Sequence, residues 1–347
     1  MKIVSRAECG REAWDGVVTS SPDGWVWALW NWQDLILAVP RWQLAEASFA
    51  VVNDSRVIAA VPLQWSGDRR VLACSGWGLT SPALARELSE QERRATLGVV
   101  FAEIDRLARL GSAHRIDMAL SPVCSTALGV RDQNPFTTFG FAGTTGVVRA
   151  LDLSRSDEEL LADCSRDTRQ QLRKARDAGV TSRTVAWPEW LDDYYRLHSE
   201  TYERTGEQPH PREYFSGIAD ALAPQGHSVL SAAFDRDGRV LAFHNTARLA
   251  GGAMYHTGCS TAAALDCGAN YVVLWSAVLS AKAAGARWYE VGEVFPSVTS
   301  GKQRGLTTFK SKFGGQTLWI HRATRAIEPE PAAPGRFGKL LRWRSKS

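Results

Sequence analysis

Lys310 stands between two phenylalanines in the run Gly305-Leu306-Thr307-Thr308-Phe309-Lys310-Ser311-Lys312-Phe313-Gly314-Gly315. An ammonium group framed by Phe309 and Phe313 is held where its charge counts for more than in water, which suits it to a point where negative charge develops. Upstream, Glu290 and Glu293 bracket Gly292. A carboxylate shielded from solvent holds its proton more tightly and can take one from a reacting group, directly or through water. The competing reading is an ion pair at a strand end, and it fits Glu293 better than Glu290. Tyr255, His244 and His256 carry groups able to share in proton transfer, although a lone buried histidine or tyrosine is as often a hydrogen-bonded core residue.

Positive charge is concentrated in two places. Arg166, Arg169, Arg173 and Arg176 are separated by three, four and three residues, so a helix carries them on one face, with Lys174 beside them. Guanidinium forks suit phosphate, and Arg169, Arg173 and Lys174 are the expected contacts, the alternative being a solvated helix face. Lys302 and Arg304, with Lys310 and Lys312, form a second cluster in a stretch read as a Gly- and Ser-containing loop, fit to cradle a phosphate-bearing ligand or simply to be exposed. No G-x-x-x-x-G-K-[ST] motif occurs, which excludes a P-loop nucleotidase. The six cysteines include no C-x-x-C pair, so neither a zinc ribbon nor any other metal site is expected, and reduced thiols point to the cytoplasm.

The elements that must position these groups follow from patterning. Residues 49–61 read as a hairpin; Ser89 and Glu92 form a capping box that opens a helix closed by Gly111, and 114–120 is a strand. Residues 145–153 form another strand. A second capping box, Ser156 with Glu159, opens one long helix ending at Gly179, and two helices follow near 188–204 and 211–222. Strands are expected at 228–234, 239–247 and 253–259, then a helix over 267–284 that is apolar on nearly every face, then a strand over 287–291. Hairpin, helix and strand thus occur twice, which implies two similar α/β units side by side with mixed sheets, and a ligand groove between them.

The chain has 347 residues with 44% hydrophobic and 22% charged side chains and a net charge of +4, enough length for about two globular domains and too little charge to mark a nucleic-acid binder. Residues 249–265, the longest uncharged stretch, are too short and polar to span a membrane, and the first 15 residues lack a signal-peptide apolar core. Fourteen tryptophans are an excess, and Trp25, Trp27, Trp30 and Trp32 fall within eight positions of an expected opening helix. They cannot all face one way, so part of the cluster is core and part is free to line a site. After Pro329, Pro331 and Pro334, the last residues interleave Arg336, Lys339, Arg342, Arg344 and Lys346 with Phe337, Leu340, Leu341 and Trp343. Such a tail fits an interfacial helix on an anionic membrane, and equally a disordered basic end.

The segment 305–315, the preceding Gly285-Ala286-Arg287-Trp288-Tyr289-Glu290-Val291-Gly292 and the basic stretch 165–180 together resemble the Fem family of peptidoglycan-bridge aminoacyltransferases. The likeness is strongest over 145–325 and lies only in element order before that. Glu290 replaces the usual Asp, Glu293 a common Gly, and Ser121-Pro122 a common Asp-Pro; no coiled-coil arm is visible. The resemblance implies two tandem GNAT-like domains, at 1–144 and 145–325, with a linker and tail at 326–347. It further implies amide formation, with Lys310, Tyr255 and Glu290 catalytic and Phe309, Arg169, Arg173, Lys174, Lys302 and Arg304 contacting substrate. The donor would be aminoacyl-tRNA and the acceptor an amine of a peptidoglycan precursor or related peptide. Related proteins of this layout resemble acyl-CoA users, which leaves an acyl-CoA-dependent transfer to an amino sugar, polysaccharide precursor or secondary metabolite as the alternative, and a non-catalytic peptide- or glycan-binding module as a third. The expected protein is a cytoplasmic monomer with no tightly bound cofactor, able to touch the inner membrane face through its tail.

Overall fold

A computed structural model describes residues 1–327 except Trp77 and Arg131, and except the side chain of Lys302. The basic tail expected at the C-terminus lies outside the described residues. The strands of the first half are β1 (Lys2–Ser5), β2 (Ala45–Glu46), β3 (Phe49–Asn53), β4 (Arg56–Val61), β5 (Leu63–Trp65), β6 (Val71–Cys74), β7 (Ala83–Leu84) and β8 (Arg115–Leu120). They are followed by β9 (Ala142–Asp152), β10 (Thr181–Val185), β11 (Ser228–Phe234), β12 (Val240–Leu249), β13 (Gly252–Ser260), β14 (Trp288–Val294) and β15 (Gln316–Ala326). The helices used below are α1 (Trp30–Ala38), α2 (Glu90–Leu110), α3 (Asp157–Asp163), α4 (Arg166–Asp177), α5 (Trp187–Thr205), α6 (Ala269–Ala283) and α7 (Gly301–Ser311).

A small sheet runs β1-β3-β4-β7, and an eleven-stranded sheet runs β10-β11-β12-β13-β14-β9-β15-β8-β6-β5-β2. Two neighbouring pairs are parallel, β6 with β8 across α2 and β13 with β14 across α6. Each half therefore contains one strand-helix-strand crossover at an otherwise antiparallel sheet, the duplicated hairpin-helix-strand order that the sequence implies. Strand β15 lies between β8 of the first half and β9, pairing with β9 over Gln316 to Thr324 and with β8 over His321 to Ala326. One continuous sheet thus joins the two halves.

Three features depart from the sequence expectations. The helix expected from Ser156 to Gly179 is two helices, α3 and α4, because Ser165 opens a new one by accepting a hydrogen bond from the Thr168 amide at 3.1 Å. Residues 301–311, expected as a loop, are the helix α7, despite two glycines, since Phe309 and Thr307 pack inward. Trp25 and Trp27 precede the opening helix, flanking and occupying a single turn of 3₁₀ helix at Val26–Ala28, and only α1 carries Trp30 and Trp32.

The tryptophans lie mostly in the core that both halves share. Trp14, Trp25, Trp27 and Trp32 pack in the same cluster as Tyr194, Tyr214, Phe215 and Phe243 from the second half. A separate first-half core lies between α2 and β3 to β8, and another under α6 gathers Leu274, Val278, Tyr289, Val291 and Phe313.

Candidate active site

β13 and β14 hydrogen-bond over only three positions, Gly252 to Met254 against Trp288 to Glu290. Beyond Met254 and Glu290 each strand stays bonded only to its outer neighbour, β12 or β9, so the two separate and open a slot in the sheet. Both carry an irregularity at that point: the β12–β13 register shifts between Asn245 and Thr246, leaving His256 as the extra residue, and the β14–β9 register shifts between Glu290 and Gly292. Bulges of this kind re-aim side chains where pairing ends.

Glu290 sits at the end of the paired stretch, 3% exposed, with its Oε2 atom lacking any hydrogen-bond partner. Burial pushes its carboxyl up to about 7; Lys310 pulls it down less strongly, and Glu293 adds to the rise. Lys310 projects from α7 across Gly292 and donates from Nζ to the Glu293 carbonyl at 3.0 Å. Its ammonium pKa is lowered by burial, a fall opposed by Glu290 and Glu293. Gly292 is required there: a Cβ would stand 2.6 Å from Lys310 Nζ, and the backbone φ is +111°. The Tyr255 ring lies 6.0 Å from Lys310 Nζ and 4.3 Å, edge to face, from His244. Burial raises the Tyr255 hydroxyl well above its ordinary value, so it remains a proton donor at neutral pH.

Lys310, Tyr255 and Glu290 are therefore gathered around one slot. His244 is not free for proton transfer in this arrangement: its Nε2 is 2.6 Å from the Tyr289 hydroxyl, and burial lowers its pKa to about 3. His256 is likewise neutral, lowered by burial to about 3, and bonds the Tyr214 hydroxyl at 2.6 Å. Glu293 makes the ion pair expected of it, both oxygens meeting Arg322 at 2.8 Å. Arg322 belongs to β15, a strand that the sequence pattern does not reveal, and nothing short of the fold points to it.

The other expected contacts are more dispersed. Phe309 packs on Tyr271 and Phe313 beneath the slot. The Phe313-Gly314-Gly315 turn is pinned to the start of α4: the Lys312 carbonyl accepts from the Ser165 amide at 2.8 Å, and Gly315 N–H donates to Asp163 at 2.8 Å. A Cβ on Gly315 would come within 2.3 Å of the Ala150 carbonyl. Lys312 pairs with Asp167 at 2.7 Å. On α4, Arg166, Gln170, Arg173, Lys174 and Asp177 line an open groove. Arg169 instead turns back onto the carbonyls of Ala162 and Cys164 at the end of α3, and Lys174 donates to the Asp266 carbonyl at 2.6 Å. Arg304 is exposed on α7, and Lys302 lies on the same helix.

Residues 162–310 match the family model described as an acetyltransferase (GNAT) domain. FemX superposes with a TM-score of 0.69 over 92% of this chain and 97% of that chain, at 17% identity. The chain has a Fem-like tandem GNAT fold. L-PGS from Bacillus licheniformis, with a TM-score of 0.54 at 13% identity over 77% of this chain and 81% of that one, has the same fold. So does a tandem GNAT protein from the clavulanic acid biosynthesis pathway, with a TM-score of 0.54 at 14% identity over 95% and 99% of the two chains. A comparison with curated protein sequences finds no match. In this tandem GNAT fold no helix among the described residues is long and apolar enough to cross a membrane.

Proposed function

We propose that the protein forms an amide by transferring an acyl group to an amine, with Glu290 receiving the amine proton. The observation that carries this reading is a buried carboxyl poised near neutrality, its Oε2 unpartnered, at the point where two parallel strands part. The amine nitrogen attacks the carbonyl carbon of an ester or thioester, forming the C–N bond. The carbonyl oxygen gains negative charge beside the Lys310 ammonium, which lowers the energy of the intermediate. Glu290 takes the nitrogen's proton, the C–O or C–S bond breaks, and the departing oxygen or sulfur takes a proton as the Tyr255 hydroxyl passes one on and is restored by the proton that Glu290 received.

In the preferred reading the donor is aminoacyl-tRNA and the acceptor an amine of a peptidoglycan precursor or related peptide, at work in the cytoplasm. The Fem-like fold, the motif around Lys310 and the phosphate-compatible groove of Arg166, Arg173 and Lys174 support it. The match to an acetyltransferase domain and the slot between β13 and β14 favour a second reading, in which the donor is an acyl-CoA and the acceptor an amino sugar, polysaccharide precursor or secondary metabolite.

Incubating the purified protein with labelled aminoacyl-tRNA or labelled acetyl-CoA and a panel of amines, followed by mass analysis, separates the two. Product from acetyl-CoA alone would overturn the preferred donor. In either case Glu290→Gln should lower kcat on the order of 10²- to 10⁴-fold, the range of a lost general base. Reversing charge at Arg166 and Arg173 together should raise the donor KM, and the increase should shrink as salt is added; a salt-independent change would remove the groove from donor binding.

A further inference from the structure

A half-open pocket lies beside Glu290, between the halves, and its largely apolar lining is at odds with a heavily hydroxylated acceptor. It has a volume of about 350 Å³ and is walled by Trp25, Trp27, Leu79, Leu120, Met254 and Ile320. That is the small end of the roughly 300–1,000 Å³ range of small-molecule pockets, too little for a whole glycopeptide. Two ionisable side chains reach it among the described residues, Glu290 and Arg322. Both Nη atoms of Arg322 are occupied by Glu293, so its charge is compensated. What is left facing a ligand is the Glu290 carboxyl, with Ser121 Oγ, also unpartnered, nearby in the lining.

The aromatic wall is fixed before any ligand arrives. Trp25 and Trp27 meet edge to face at 6.4 Å and 89°, forming a corner. Trp27 is backed by Trp32 at 4.0 Å and by the His256 ring at 4.6 Å, and His256 is held by Tyr214. A rigid apolar corner binds a flat or branched hydrocarbon body without the entropy cost of ordering its own side chains.

We propose that this chamber is the acceptor pocket and admits a primary amine carried on a compact apolar or aromatic body, the nitrogen directed at Glu290. This rests on the acyl-transfer reading above and adds the chemical class of the arm that enters. Apart from Ser121 Oγ and the Glu290 carboxyl, hydroxyl groups on that arm would meet mainly apolar walls, and each one stranded there costs on the order of tenfold in binding.

The test uses the full-length protein, both labelled donors, and two probe amines, tryptamine and glucosamine. The expected result is a kcat/KM for tryptamine at least tenfold above that for glucosamine. Ile320→Asn, a change on a partly exposed wall position, should cut that ratio about tenfold. Equal or better transfer to glucosamine, or an unchanged ratio in Ile320→Asn, would overturn the proposal while leaving acyl transfer intact. No transfer to any amine from either donor would instead overturn the acyl-transfer reading. In that event tryptophan fluorescence still decides the pocket: saturable quenching by tryptamine that weakens in Ile320→Asn upholds it, and absence of quenching rejects it.

Discussion

Glu290 carries its proton further up the pH scale than an ordinary carboxyl because burial penalises the charged form. Between about pH 4.5 and pH 7 the native state then binds more protons than the unfolded chain, so this group makes stability fall as pH rises through that window. The lowered histidines act in the opposite sense: His198, His244 and His256, held neutral near 3 by burial, cost stability as pH drops below about 6.5. The difference between wild type and Glu290→Gln isolates the carboxyl. Urea unfolding should show the variant gaining on wild type between pH 5 and pH 8, by roughly 3 kcal/mol for a shift of this size. Parallel pH profiles would mean that Glu290 titrates as an ordinary acid. Strands β13 and β14, which carry Tyr255 and Glu290, were legible from their patterning, whereas the helix that carries Lys310 reads as a loop in the sequence. Arg322 was not legible, because an arginine among Arg325, His321 and Thr324 has no mark that separates it from a solvated surface residue until its partner Glu293 is in place.

At the level of elements, the slot depends on how two bulged strands are held apart. Gly292 lets Lys310 cross β14 closely, since a Cβ would stand 2.6 Å from Nζ and push the ammonium aside, and its φ of +111° is the firmer requirement for glycine. Gly292→Ala should therefore displace the ammonium, lowering kcat at least tenfold while costing on the order of 1–3 kcal/mol of stability. A full drop in kcat without loss of stability, seen by thermal unfolding alongside steady-state rates, would separate site geometry from folding. Wild-type kcat would show that the crossing is dispensable. The strands β11 to β14 and the capped helix α2 were readable because local signals, namely alternation, capping boxes and turn residues, agree with the tertiary structure. The break at Ser165 was hidden by a continuous helical pattern on both sides: its cap competes with an uninterrupted helix, and docking of the Lys312 carbonyl on the Ser165 amide decides the outcome. β15 was hidden for a related reason. It is covered on both edges by neighbours and crosses from one half to the other, so its buried and exposed positions do not alternate cleanly.

For the molecule as a whole, the duplicated architecture suggests two domains able to fold alone, but the contacts argue otherwise. β15 supplies an edge partner to β8, and without it that strand would expose an unpaired row of backbone groups. The largest core cluster also packs Trp14, Trp25, Trp27 and Trp32 of the first half against Trp187, Tyr194, Tyr214 and Phe215 of the second, so separating the halves would bare an apolar surface on each. A fragment of residues 1–144 should consequently fail to fold as a soluble unit, and the intact chain should unfold in one step. The tryptophan emission of the first-half cluster and the far-ultraviolet circular dichroism of the whole chain should then share a single urea midpoint. Two separated midpoints, or a folded 1–144 fragment with native-like tryptophan emission, would show the halves to be independent. The chamber beside Glu290 has walls from both halves, so a single transition would also mean that the acceptor pocket cannot loosen without a large part of the fold loosening with it.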